Sequence, residues 1–285
     1  MTKRRLQALA AAFALALALG TAPVAHAQGV TDLQLAGNVV TGVIELPGGL
    51  LADLELGFES QSGLDLSTLA FQARVVSPLD LLLKKRLPSG VGIPVGFPVL
   101  LEISPTSASQ LEFEGVYSLD LHTHNLLYTV NTPLRIFKAP AGGKFEDVTQ
   151  SMGMGSYRAR AGGKSFSDFL IVLDLRTDNS VINGKYDALD ATLRSDAARI
   201  DPAVYEQLRG LFTASRNAFK AGNLAAAIGY LEVFQTTVVD NSGAKIPDVW
   251  RANSSLVNVA GALRVESGTL RFSLIVKKNR LLGLL

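Results

Sequence analysis

Hydrophobic and polar residues alternate along most of the chain between about residue 30 and residue 175. The longest alternating stretch covers 110–125, and residues that favour turns separate it from its neighbours. Similar runs cover 51–60, 69–76, 98–104, 125–131, 133–139, 144–149, 155–161 and 165–175. Successive side chains of a strand point to opposite faces, so each run predicts a short strand with one buried face. We therefore predict an antiparallel, immunoglobulin-like β-sandwich over 28–176, with roughly nine or ten strands.

Two stretches depart from this alternation. Residues 78–88 have no clean period, and residues 89–98 contain three Gly and two Pro. Loops that carry binding sites often lie at the ends of a rigid scaffold. We predict that 78–98 forms a long excursion at one end of the sandwich, and that this excursion is a candidate contact surface.

The spacing of apolar residues changes to three and four after Thr177, which predicts helices. Asp201 and Pro202 are residue types that favour a helix N-cap and the first helical position, and Asn223 can cap the next helix. The predicted helices begin near residues 184, 202, 223 and 247. The fold class is therefore predicted to be α+β, with more than one domain.

These helices predict a small bundle over 185–266, which a linker at 177–184 joins to the sandwich. Within the bundle, Leu208 and Leu211 precede Ala218, and the motifs A-G-N-L-A-A-A-I-x-x-L-x-x-F and V-x-x-x-S-G-x-x-I-P follow. By these residues the segment resembles the four-helix FIMAH domain of bacterial extracellular proteins. The resemblance implies an appended module on a surface or secreted protein, without known catalysis.

A tetratricopeptide unit is the alternative for the same helices, because its second helix often begins with G-N-x-x-x-A-I. About three such units are needed to bury their faces, and no second copy lies about 34 residues away. The FIMAH-like interpretation is therefore favoured.

A second resemblance lies at the end of the predicted sandwich. An aromatic-D-V-T run begins at Phe145, and G-x-S-F-S-x-F-x-I follows from Gly163 to Ile171. These motifs are similar to the last strands of sandwich modules in bacterial surface proteins. The chain as a whole also resembles an uncharacterised family of secreted proteobacterial proteins, which implies an architecture but no activity.

The C-terminal segment, 267–285, fits two structures. Leu270, Phe272 and Leu274 alternate as in a strand, whereas the spacing of four between Leu270 and Leu274 also fits a continued helix. The pair Ser267-Gly268 is unfavourable inside a helix. We therefore predict a C-terminal strand or tail that returns to the sheet.

Residues 1–27 have the composition of a signal peptide. Three basic residues precede a short apolar run, and Ala25-His26-Ala27 has the small residues of a cleavage site. The run is shorter than the roughly 20 apolar residues of a membrane span, although an uncleaved anchor is the alternative. We expect export to the periplasm or the outside, with a mature chain that starts near Gln28.

Charge and cysteine content exclude some classes of function. Three of the 27 basic residues lie in the predicted signal peptide, so 24 basic and 25 acidic residues remain. This balance does not fit a nucleic-acid-binding protein, which needs a basic surface. The chain has no Cys, which excludes thiol nucleophiles and cysteine-ligated metal centres.

Asp120, His122 and His124 form the sharpest candidate for a site. Residues two apart on a strand share a face, so a carboxylate and two imidazoles would project together. Such donors bind zinc or copper, although a further ligand from elsewhere would be needed. The alternative is a polar, solvent-facing sheet surface without a metal.

The sequence predicts a binding protein rather than an enzyme. It contains no G-x-S-x-G motif, and after residue 27 only His122 and His124 are available for a catalytic triad. We expect a non-catalytic, exported binding, adhesion or cell-envelope module without a cofactor. Its partner would be an extracellular or envelope ligand, a protein or a polysaccharide, and not nucleic acid, and it would have no stable membrane span after signal cleavage. The alternative is a secreted hydrolase of polysaccharide or peptide, with an accessory helical domain.

Overall fold

The computed structural model describes residues 29–129 and 131–284. The predicted signal peptide, 1–27, lies outside the described residues. Within them the chain forms thirteen strands and five α-helices. None of the helices in this part of the chain is long and apolar enough to cross a membrane.

The elements follow the chain in this order. The strands are β1 (Val30–Ala36), β2 (Val39–Leu46), β3 (Leu50–Ser62), β4 (Leu69–Val75), β5 (Val91–Gly92), β6 (Val99–Pro105), β7 (Glu112–Leu127), β8 (Leu134–Ala139), β9 (Glu146–Asp147), β10 (Thr149–Gly153), β11 (Ser156–Gly163), β12 (Asp168–Asp174) and β13 (Val249–Arg251). The helices are α1 (Leu81–Arg86), α2 (Asp178–Ser195), α3 (Pro202–Lys220), α4 (Leu224–Asn241) and α5 (Val259–Leu281).

The strands form two antiparallel sheets. The first sheet has seven strands, in the order β1-β2-β3-β7-β11-β10, and β13 also pairs with β7. The second has six strands, in the order β4-β6-β12-β8-β9, and β5 also pairs with β12. One apolar core receives side chains from both sheets, including Leu56, Leu119, Tyr157, Ile103 and Ile171. The predicted α+β class is therefore confirmed, with strands in the N-terminal part and helices in the C-terminal part.

The middle of the second sheet is buried on both faces. Strand β12 directs Phe169 and Ile171 into the main core, and Leu170 and Val172 into a separate apolar cluster on the other side. A strand buried on both faces carries a nearly continuous apolar run, which explains the weak alternation of this segment. The excursion at 78–98 contains α1 and β5 and supplies residues to the outer cluster.

Helices α2 to α5 enclose a core of their own. Asp201 caps α3, since its carboxylate accepts hydrogen bonds from the backbone amides of Ala203 and Val204. Asn223 caps α4 in the same way through the amide of Ala226. Both caps were predicted from residue type. The core they help to close includes Tyr186, Leu189, Leu208, Leu231, Phe234 and Leu270.

The strand or tail predicted over 267–285 is wrong, because α5 runs through most of this segment as a 23-residue helix. The Ser267 hydroxyl donates to the carbonyl four residues earlier, at 2.6 Å. A Cβ on Gly268 would lie 3.0 Å from Gln150 of β10 and 3.3 Å from Gln235 of α4. The two small residues therefore let the helix pass close over its neighbours, and this packing overrides their poor helix propensity.

Two further helix boundaries differ from the prediction. Residues 177–184 are not a linker, because Thr177 caps α2 and the helix begins at the next residue. The segment that begins near 247 first forms β13, where Trp250 stacks on Phe113 of β7 with ring centroids 5.1 Å apart. The last helix starts only after Asn258, whose side chain caps it. Pairing with the first residues of β7 thus replaces the predicted helix start.

Helix α5 joins the bundle to the first sheet. It packs against β7, β10 and β11 on one side and against α2 and α4 on the other. At its start, the Asn258 side-chain amide donates to the carbonyl of Gly115 on β7, at 2.6 Å. The bundle therefore covers only part of the outer face of this sheet and leaves the part around His122 open.

Candidate functional site

The open part of the outer face is polar. Alternate residues of β7 are buried, so Asp120, His122 and His124 project outward together, as predicted. The strand register places His122 between Asp53 of β3 and Arg158 of β11. Four of these five residues line a depression of about 460 Å³, whose lining does not include His124. The sheet thus gathers charged and imidazole side chains from three strands.

Asp53, His122 and His124 form a compact cluster. The Asp53 Oδ2 atom lies 3.1 Å from His122 Nδ1 and 3.1 Å from His124 Nε2. One ligand atom from each residue lies within 4.8 Å of the other two. The His124 and Asp53 side chains are 41% and 56% exposed, so solutes reach the cluster from the solvent side.

Asp120 does not join this cluster. Its carboxylate accepts a hydrogen bond from Arg160 Nε at 2.9 Å, and it lies opposite Glu55 in the register of β3 and β7. The carboxylate beside the histidines comes instead from Asp53, which the sequence did not nominate. The alternation in 51–60 placed Asp53 on a solvent-facing side. Neither strand's pattern, however, showed that β3 and β7 are neighbours or in which register they pair.

Hydrogen bonds orient the ring of His122. Its Nε2 lies 2.6 Å from the Ser156 hydroxyl, and its Nδ1 lies 3.3 Å from an Arg158 guanidinium nitrogen. At Nδ1 the Asp53 carboxylate, 3.1 Å away, can only accept, whereas the guanidinium can only donate, so these two neighbours favour opposite tautomers of the ring. Nδ1 carries the proton when it bonds Asp53; in the other tautomer Nε2 carries it and donates to Ser156. In the tautomer protonated at Nε2, the unprotonated Nδ1 faces the solvent side of the cluster beside Asp53, where a cation can lie between the two atoms.

A groove of about 1010 Å³ continues from this surface to helices α4 and α5. It shares Glu55 with the depression beside the histidines. Arginines hold two of its other carboxylates: Glu59 pairs with Arg264 at 2.6 and 2.5 Å, and Glu232 pairs with Arg271 at 3.0 and 2.7 Å. Glycoside hydrolysis needs two carboxylates that are free to act as acid and as base or nucleophile. Among the groove residues that the structure describes, only Glu55 is a carboxylate without an arginine partner.

A second notable surface lies on the excursion. Leu79, Leu81 and Leu82 are 76%, 72% and 75% exposed. Single exposed leucines are ordinary, but three within four residues form an apolar patch of the kind that marks an interaction site. The adjoining Lys84 and Lys85 are also exposed. We name these five residues the leucine tip.

Side chains beneath the leucine tip fix its backbone. The Asp80 carboxylate caps α1, and Leu83 and Leu87 are buried in the apolar cluster on the second sheet. Arg86 donates to Asp168 at 2.6 Å and to a backbone carbonyl of the 140–143 turn at 2.7 Å. The leucines are therefore exposed at the start of an anchored helix, with Leu79 just before its N-cap.

The surroundings of the leucine tip are basic. Lys144 is exposed and donates to the backbone carbonyl of Lys85, which places a third ammonium group beside Lys84 and Lys85. The acidic residue of the same segment, Asp80, directs its carboxylate to the helix amides. An apolar patch bordered by ammonium groups results.

Buried charges lie between the second sheet and the bundle. A cavity of about 200 Å³ is lined by Asp147 of β9, Lys185 of α2 and Glu266 of α5. Lys185 Nζ lies 2.7 Å from Asp147 Oδ2. Burial alone would raise the pKa of Asp147, but the charges of Lys185 and Arg135 lower it overall. This pair is therefore a charged contact that joins the two parts of the chain.

Glu266 has fewer partners than Asp147 to offset the cost of burying its charge. Burial raises the pKa of its carboxyl to about 7, against the opposing effects of Lys164 and the Thr192 hydroxyl. Thr192 donates to Oε1 at 2.9 Å, whereas Oε2 has no hydrogen-bond partner among the described residues. Sequence reasoning missed this cluster because its members come from distant segments and no local pattern links them.

Together these features define a class: a two-sheet protein with a docked helical bundle, one open polar sheet face and one anchored apolar tip. The chain belongs to a family of unknown function (DUF6689), whose model matches residues 15–278. No curated protein matches the chain.

Proposed function

We propose that the protein is a non-catalytic, exported binding module of the cell envelope, and that the leucine tip docks it on an anionic lipid surface. The observation that carries this proposal is the exposure of Leu81 and Leu82 on a helix whose other side is anchored, and of Leu79 in the turn that leads into it. Removing such an apolar patch from water is favourable, so exposed leucines of this kind indicate a surface that a partner covers.

Lipid fits the chemistry of the tip. Full burial of a leucine side chain contributes about 1.5–3 kcal/mol, so shallow insertion of three leucines contributes several kcal/mol. Each lysine near an anionic bilayer adds about 1 kcal/mol. The sum supports reversible, peripheral attachment without a membrane span. Polysaccharide offers hydroxyl groups but little apolar surface for three neighbouring leucines, so it fits the tip less well.

The open sheet face and its groove support binding better than catalysis. Glu59 and Glu232 are each held by an arginine, as described above, which leaves no free pair of carboxylates in the described part of the groove. The secreted hydrolase therefore remains the weaker alternative. The proposal also includes export, an immunoglobulin-like form of the sandwich and a FIMAH-like form of the bundle. The two facing antiparallel sheets fit the second of these features and the four long helices fit the third.

Vesicle co-sedimentation tests the docking surface. The full chain is mixed with vesicles of phosphatidylglycerol and phosphatidylcholine, and with vesicles of phosphatidylcholine alone. We expect binding to the anionic vesicles, weakened by salt, and at least a tenfold loss for Leu81→Asp/Leu82→Asp. Lys84→Glu/Lys85→Glu should lose the preference for anionic lipid. The matched control is Val233→Asp/Val239→Asp, two exposed positions on α4.

All variants are made in the same full chain, so any contribution of residues 1–27 is common to them. The substituted leucines are exposed, and an unchanged melting temperature would verify that the variants fold. Equal vesicle binding by the tip variant and the control would overturn the proposal. Capture of a protein or a saccharide through the same leucines, without vesicle binding, would also replace lipid as the partner.

A further inference from the structure

We infer that Asp53, His122 and His124 form a binding site for one divalent transition-metal ion of the zinc and copper class. The site lies on the first sheet, and its argument is independent of the leucine tip. It differs from the sequence hypothesis in its carboxylate ligand, since Asp53 replaces Asp120.

The distances suit a single ion. Zinc lies about 2.0–2.2 Å from imidazole nitrogen and carboxylate oxygen, so neighbouring ligands of a tetrahedral site are about 3.3 Å apart. Asp53 Oδ2 lies 3.1 Å from the nearest nitrogen of each histidine, and all three atoms fall within 4.8 Å of one another. Small side-chain rotations would bring both imidazoles to bonding distance of one ion.

The donor types suit the same class of ion. Two imidazoles and one carboxylate are preferred by zinc and also bind copper and nickel, whereas calcium and magnesium prefer oxygen ligands alone. His124 and Asp53 are substantially exposed, so water would complete the coordination on the solvent side. The site therefore resembles an open three-ligand centre rather than a closed structural one.

Ser156 gives His122 the outer hydrogen bond that ligating histidines ordinarily have. In the tautomer that would bind a metal, Nε2 donates its proton to the hydroxyl, 2.6 Å away, which holds the ring in place and leaves Nδ1 free for the ion. Because this orientation exists before an ion binds, less ordering is required at binding.

Arg158 competes with the ion. One of its guanidinium nitrogens lies 3.3 Å from His122 Nδ1, where the ion would bind. The Arg158 side chain is exposed, so it can swing into solvent when an ion enters. Its positive charge nevertheless opposes a cation at this position, and it lowers the affinity of the site.

Titration with zinc tests this inference. Untagged full chain is titrated with Zn²⁺ by calorimetry, and its melting temperature is measured with and without the ion. We expect one ion per chain, a higher melting temperature, and a visible spectrum of tetrahedral type when Co²⁺ replaces Zn²⁺. Asp53→Asn, His122→Ala and His124→Ala should each weaken binding at least tenfold. Asp120→Asn, the matched control on the same strand, should bind as the unmodified protein does.

Several outcomes would overturn the site. The first is that no Zn²⁺ binds. The second is an adventitious ion only, seen as several weakly bound ions whose affinity the variants do not change. The third is an equal loss of Zn²⁺ affinity in Asp120→Asn and Asp53→Asn. The melting temperature of each variant without metal shows whether weaker binding comes from the lost ligand or from a loss of folding. Vesicle binding is measured separately, so the failure of either proposal is recognised without the other.

Discussion

Asp53 and His122 lie directly opposite each other on β3 and β7, with Oδ2 3.1 Å from Nδ1, although 69 residues separate them in the chain. The contact exists because the two strands pair in one particular register. A shift of one residue would turn Asp53 to the buried face, so the core fixes the position of this carboxylate.

Removal of the Arg158 guanidinium should strengthen metal binding. Arg158→Gln removes a positive charge and a competing donor beside His122 Nδ1, so we expect the affinity for Zn²⁺ to rise several-fold. Calorimetric titration measures the change. The control is Arg160→Gln, because Arg160 pairs with Asp120 outside the cluster. Weaker binding in Arg158→Gln would mean that this residue positions His122 and does not compete with the ion.

Glu266 should make the stability of the protein depend on pH. Its pKa is about 7 in the folded protein against an ordinary value of 4.5, so the folded state binds more protons between these values. The free energy of unfolding then falls as pH rises through this window. We expect Glu266→Gln to raise the melting temperature relative to the unmodified chain near pH 8, with little of this gain near pH 4.

Thermal melts at the two pH values check this expectation, with Glu206→Gln as a control because Glu206 is exposed on α3. If Glu266→Gln changed the melting temperature equally at both pH values, ionisation of Glu266 would not be the cause.

Gly163 should tolerate no side chain. A Cβ at this position of β11 would lie 2.0 Å from the ring of Tyr117, a fully buried residue whose hydroxyl donates to the Ser165 carbonyl. Gly163→Ala therefore forces the core apart and should cost about 3 kcal/mol of unfolding free energy. Gly210→Ala, in an open position on α3, should instead stabilise by about 1 kcal/mol. Urea denaturation measures both, and a neutral Gly163→Ala would contradict the packing described.

Trp250 should hold β13 to the first sheet. Its ring stacks on Phe113 and meets Phe166 edge-on, with centroid distances of 5.1 Å in both cases. Trp250→Ala should therefore lower the unfolding free energy by about 2–3 kcal/mol, since the ring is only partly buried. Leu256→Ala, at a half-exposed position nearby in sequence, should change it little. Denaturation curves compare the two, and equal effects would mean that the stacking contributes nothing.

Local patterns in the sequence predict much of this fold. Alternation locates β3 and β7, and the capping residues Asp201 and Asn223 mark the starts of two helices. These signals suffice because each lies within a few neighbouring residues. They also place two of the three clustered ligands, His122 and His124, on one face of one strand.

Features that depend on tertiary packing were not predictable in this way. Gly268 breaks a helix by propensity, yet here its small size lets α5 approach β10 and α4. Trp250 fits a helical spacing, yet it lies in β13, which pairs with the first residues of β7. Asp53 becomes a ligand candidate only through strand register. The excursion was located from its composition, but the exposure of its leucines depends on which side of α1 the second sheet covers.

Helix α5 determines how the protein should respond to a stretching force. Because it touches three strands of the first sheet and two helices of the bundle, a stretching force on α5 would act on both parts of the molecule at once. The bundle and the sheets should consequently unfold in one event under force, and not one after the other.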